Sequence, residues 1–121
     1  MDELVYISTD GNTVYYLSDT KDIPGDEFAY MGDLYKYDCK TGAVKIINHN
    51  VVGGSVTSGI RWTSSQIQMR GDEDVYADSL NYSVYKRTID RDPDEGFPEV
   101  CCDIYHYNGL YSKCIMKDAI N

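Results

Sequence analysis

The chain has 121 residues, is 42% hydrophobic, and carries a formal net charge of −9 from 20 acidic and 11 basic side chains. That length supports one domain with a modest core, and the acidic field repels nucleic-acid phosphates and anionic membrane surfaces, so neither is expected as a partner. No apolar run approaches the roughly 18 residues of a membrane span, and the Met1-Asp2-Glu3-Leu4-Val5 start lacks the pattern of a secretion signal.

Twelve tyrosines stand against two phenylalanines and one tryptophan. Tyrosine favours strands, where its ring can be half-buried while its hydroxyl reaches water. Leu4-Val5-Tyr6-Ile7 and Thr13-Val14-Tyr15-Tyr16-Leu17, separated by the turn-forming Asp10-Gly11-Asn12, predict a hairpin. Residues 18–31, with Asp19, Asp22, Pro24, Gly25 and Asp26, read as a polar connection. Alternation along Gly32–Asp38 then places Asp33, Tyr35 and Tyr37 on one face of a third strand, with Leu34 and Lys36 on the other. Lys40-Thr41-Gly42 turns the chain into a fourth strand over Ala43–Ile47, and residues 49–57, with Gly53-Gly54 and Ser55, read as a linker. Ile60-Arg61-Trp62 and Gln66–Arg70 predict a further hairpin. Strands are expected at Val75-Tyr76, Tyr82–Arg87, Asp103–Tyr107 and Tyr111–Met116, the last pair joined by Asn108-Gly109, a dipeptide favoured in type I′ turns.

The segment Gly32-Asp33-Leu34-Tyr35-Lys36-Tyr37-Asp38 returns 70 residues later as Cys102-Asp103-Ile104-Tyr105-His106-Tyr107-Asn108. The same offset, extended upstream without a gap, aligns Val5-Tyr6 with Val75-Tyr76, Val14-Tyr15 with Val84-Tyr85, and Asp22 with Asp92. A single domain over residues 1–121 follows, with a blade-like repeat at 4–48, an intervening hairpin at 55–71 and a second repeat at 74–118. The fold class expected is all-β: antiparallel meanders in two propeller-blade-like four-stranded units, too short for a closed propeller. Val14–Asp19, Gly32–Asp38 and Thr41-Gly42 through Val51 resemble one blade of the bacterial TolB-like propellers and of those compared with low-density-lipoprotein-receptor repeats. The resemblance covers residues 4–51 best, and 74–118 less well. It implies a binding platform, often outside the cytoplasm; a full-length chain would instead be cytoplasmic.

The candidate sites are few. Tyr35, Tyr37, Tyr105, Tyr107 and Trp62 could present an aromatic surface to a sugar or peptide, or else pack a thin sheet core. Asp90, Asp92 and Asp94 space carboxylates as calcium loops do, but Glu95 occupies the position where such a loop needs glycine, and Cys101 cannot close it. A solvated acidic loop is the plainer reading, and no metal or cofactor is expected. Cys39, Cys101, Cys102 and Cys114 lack zinc spacing. Reduced thiols are expected, with a disulfide from Cys39 the alternative in an exported chain, and at most one of the adjacent Cys101 and Cys102 facing the core. With no catalytic signature, the expected function is a non-enzymatic binding module that meets a protein partner or self-associates. The alternative is a small acidic inhibitor, such as a phage-encoded protein, that blocks a basic enzyme site.

Overall fold

Alternating apolar and polar side chains stabilise a sheet only where turns fold each strand back onto its neighbour. The computed structural model describes residues 3–7, 11–58, 79–89 and 99–120, and every element in them is a β-strand. In order these are β1 (Glu3–Ile7), β2 (Thr13–Ile23), β3 (Asp26–Asp38), β4 (Val44–Val52), β5 (Thr57–Ser58), β6 (Leu80–Ile89), β7 (Glu99–Tyr107) and β8 (Ser112–Ile120). They form one sheet in the order β1-β2-β3-β4-β6-β7-β8, with the two-residue β5 paired to β6 off this path. Every pairing is antiparallel, and the sheet is open, with β1 and β8 at its edges.

The all-β, antiparallel expectation therefore holds. The two meanders, however, share one sheet, joined by the single ladder pair Val51↔Val84 between β4 and β6. The expected hairpin about Trp62 and the Val75-Tyr76 strand lie outside the described residues.

Two stretches expected to be loop or linker are strand instead. The polar connection at 18–31 is the far half of β2 and β3, reversed at Pro24-Gly25 with Gly25 at φ +82°. Apolar burial explains this: Ile23 and Met31 are 1% and 5% exposed, and a bulge at Asp19 (φ 54°) lets the polar residues face outward. Likewise β4 runs on to Val52, because Val51 is fully buried. The Asn108-Gly109 turn also differs from type I′. Asn108 N–H donates to the Tyr111 carbonyl, and only Gly109 (φ 100°) has positive φ, so Gly109 holds the first central position of a II′-like turn.

The ladders of the two meanders step alike. In β3–β4 the register skips between Gly32/Leu34 and Leu34/Tyr35; in β7–β8 it skips between Cys102/Ile104 and Ile104/Tyr105. Asn50 and Asp118, at φ 55° and 57°, lie in the corresponding bulges. The gapless offset does not reach the preceding strands. Tyr16 pairs with Tyr35 and Tyr82 with Tyr105, so β2 and β6 match at a spacing shorter by four than β3 and β7. Each of β2 and β6 carries a bulge of one extra residue, so the difference lies in the longer chain between β6 and β7 than between β2 and β3.

Two apolar clusters fill opposite faces of the sheet. The first gathers Tyr15, Leu17, Leu34, Val51, Leu80, Tyr82 and Tyr107, drawn from both meanders. The second gathers Ile23, Met31, Val100 and Cys102. Leu34 and Met31 show the division, since they sit an odd number of residues apart on one strand. Because both faces are covered near β7's start, Cys101 and Cys102 point to opposite sides and yet are 0% and 1% exposed. The two thiols part to opposite faces as expected, and both are buried because each face is covered there.

Candidate functional site

The tyrosines of the related strand segments sort onto opposite faces. Tyr105 packs against the first cluster and Tyr107 belongs to it, at 1% exposure. Tyr35 is half-buried and Tyr37 is 38% exposed, on the face opposite Leu34. The four therefore do not form one aromatic surface, and Trp62 lies outside the described residues. The separation follows from strand count. Three strands reverse the chain an odd number of times, so β7 runs antiparallel to β3 in the shared sheet. A rotation that keeps strand order but reverses strand direction must turn the sheet over. Matching residues of the two meanders then point to opposite sides.

Each meander carries one stacked tyrosine pair across neighbouring strands. Tyr82 and Tyr105 stack at 5.6 Å between centroids, 7° from parallel, and Tyr82 is buried. Tyr16 and Tyr35 stack at 5.5 Å and 16°. Beside the latter pair, on the same face by register, lie Tyr37, Val44 at 55% exposure and Ile46 at 38%. These side chains form an uncharged aromatic and aliphatic strip across β2, β3 and β4, which is the candidate contact surface.

The buried counterpart shows how such a surface is gripped. Lys36 lies 5.5 Å from the Tyr107 ring centroid and donates from Nζ to the Tyr107 hydroxyl and the Gly109 carbonyl, each at 3.1 Å. Lys45 donates to the Leu110 carbonyl at 3.4 Å. The Tyr82 hydroxyl donates to Ser112 Oγ at 2.6 Å and accepts from Asn48 Nδ2 at 3.1 Å. Burial raises the Tyr82 pKa, against those two hydrogen bonds, so the phenol stays neutral.

The turns beyond the two tyrosine strands are also built alike. Asp38 Oδ1 accepts from the backbone N–H groups of Lys40 and Thr41, and Asn108 Oδ1 from those of Leu110 and Tyr111. The Lys40 amide, foremost, holds the Asp38 carboxyl below its usual range, so it is charged at neutral pH. Elsewhere Lys86 bridges Asp118 at 2.8 Å and Asp103 at 3.5 Å, and Arg87 meets Asp118 at 3.4 Å. This network spans the bulges of β6 and β8 and orders them.

The remaining chemistry is quiet. All four cysteines are free thiols; Cys39 is exposed. Burial, then the neighbouring Cys101 and Asp103, pushes the Cys102 pKa up to about 11, which keeps it protonated and unreactive. His106 Nδ1 sits 2.9 Å from Asn81 Oδ1. Asp90, Asp92 and Asp94 lie outside the described residues, and among those described no group of three or more His, Cys, Asp or Glu gathers as a metal site.

Sequence reasoning missed Tyr16, Val44 and Ile46. The adjacent Tyr15-Tyr16 held the signal, since neighbouring strand residues part to opposite faces and Tyr16 therefore points away from the cluster that Tyr15 enters. No known family model matches the chain, and no curated protein or solved structure shows significant similarity to it.

Proposed function

We propose that this chain is a protein-binding module built from a duplicated meander, and that it works through the Tyr16–Tyr35 face of the first copy. The duplication is supported by the shared ladder steps, the two stacked tyrosine pairs and the two matching turns. The observation that carries the function is the exposure of Tyr37, Val44 and Ile46 on the face whose counterpart in the second copy is a buried interface. Tyrosine is enriched in protein contacts because its rigid ring buries much area at small entropic cost and its hydroxyl still finds a partner. The blade-like resemblance of residues 4–51 points the same way. Catalysis plays no part in this reading.

A second reading, an inhibitor seated on a basic enzyme site, draws on the net charge of −9. It predicts binding that weakens steeply with salt, whereas apolar contact does not. The site is tested by placing a photo-cross-linking benzophenone side chain at Tyr37 in cells that make the protein. A discrete protein adduct is expected from position 37, and none from Phe28, which is 78% exposed at the other end of β3. The absence of any adduct from position 37 contradicts the proposal.

A further inference from the structure

Resting on that reading, we infer that the partner is a second copy of this chain and that copies join head to tail. The tyrosine face of one first meander seats on the outer face of the next copy's second meander. The internal interface is the template: Tyr82, Tyr105 and Tyr107 lie on a face built by Tyr15, Leu17, Leu34 and Val51, with Lys36 and Lys45 reaching across to the opposing turn. The outer face of the second meander repeats this arrangement by register. His106 pairs with Lys113 as Lys36 pairs with Lys45, and Ile104 pairs with Met116 as Leu34 pairs with Asn48. Met116 is 55% exposed, and Lys113 is exposed.

Charge selects the same geometry. Copies carrying −9 each repel one another unless a basic patch meets an acidic one. Lys113, beside His106, supplies the first, and Asp33, on the face of Tyr35 and Tyr37 and 3.0 Å from His49 Nδ1, supplies the second. Face-to-face pairing of two tyrosine surfaces would instead bring like charges together. The sheet edges are poorer contacts. β8 is broken by the Asp118 bulge and carries Lys113 and Lys117, and the five-residue β1 skips register after Leu4. Asn81 and Ser83 stand where Tyr15 and Leu17 stand in the template, so less apolar area is buried and the association is reversible. Each contact uses two different surfaces, so every added copy leaves one of each free.

Sedimentation velocity of the whole chain tests this. The wild type is expected to grow beyond 13.7 kDa as concentration rises. Tyr37→Glu or Val44→Glu blocks one end and Lys113→Glu the other; each variant alone sediments as a monomer with unchanged circular dichroism. Mixing Tyr37→Glu with Lys113→Glu restores one intact contact and yields a dimer that grows no further. A wild type that stays monomeric at every concentration overturns the inference. So does a Lys113→Glu variant that still dimerises alone, which would mark face-to-face pairing. An adduct of a different protein at position 37, with a monomeric chain, overturns it while leaving the binding reading intact.

Discussion

Tyr37 and Tyr107 hold matching places in the two meanders, and truncating each should read out the difference between their faces. Tyr107→Ala empties a fully packed site and is expected to cost about 3–5 kcal/mol, while Tyr37→Ala should cost under about 1 kcal/mol, as measured by urea unfolding. A similar backbone argument applies at Gly32, where an added Cβ would lie 2.8 Å from the Ser18 carbonyl oxygen. Gly32→Ala should therefore destabilise by roughly 1–3 kcal/mol, whereas Cys102, in the matching position, packs its side chain in the second cluster. Cys102 gives a pH prediction whose sign is fixed by its raised pKa. The folded state holds its proton up to about 11, above the ordinary thiol value of 9.0, so its contribution is intact below pH 9 and lost as pH rises toward 11. Stability should fall by roughly 2 kcal/mol over that window, and Cys102→Val should flatten the decline. Alternation made the face of Leu34 and Tyr35 legible in the sequence. What it could not show was which face of the second segment enters the core, since that depends on how many strands lie between.

Element boundaries departed from the sequence reading wherever a bulge replaced an expected loop. Asp19 and Asn50 adopt positive φ within strands, so polar runs that look like connections are bulged ladder instead. The β1–β2 and β3–β4 hairpins were legible because glycine supplies the positive φ at Gly11 and Gly42. The loss of the gapless repeat upstream of β3 and β7 has another origin: the chain between β6 and β7 is longer than that between β2 and β3, which shifts the partner strand while leaving the local motif untouched. The meanders share a single ladder pair, but side chains of both fill the first core cluster. They should therefore unfold as one unit. Leu34→Ala in the first meander and Leu80→Ala in the second should each remove about 2–5 kcal/mol. Both should shift one common transition, seen identically by far-ultraviolet circular dichroism and tyrosine fluorescence. Two separate transitions would show that the first cluster does not couple them.

The whole molecule follows from an odd number of strands repeated in an open sheet. The second meander's tyrosine face closes on the first, and the first meander's tyrosine face is left outward with nothing in the described chain playing the same part. The sheet stays open, with β1 and β8 at its edges. A charge of −9 works against indiscriminate association of copies. Composition made the strand content legible; the proposed contact surface was not, because it is defined by what fails to pack. Nitration of tyrosines in the wild-type chain, mapped by mass spectrometry across protein concentration, tests this most directly. Tyr37 should react readily in dilute solution and become protected as concentration rises, with Tyr107 protected throughout. A Tyr37 rate indifferent to concentration, or a Tyr107 that reacts as fast as Tyr37, would contradict the account.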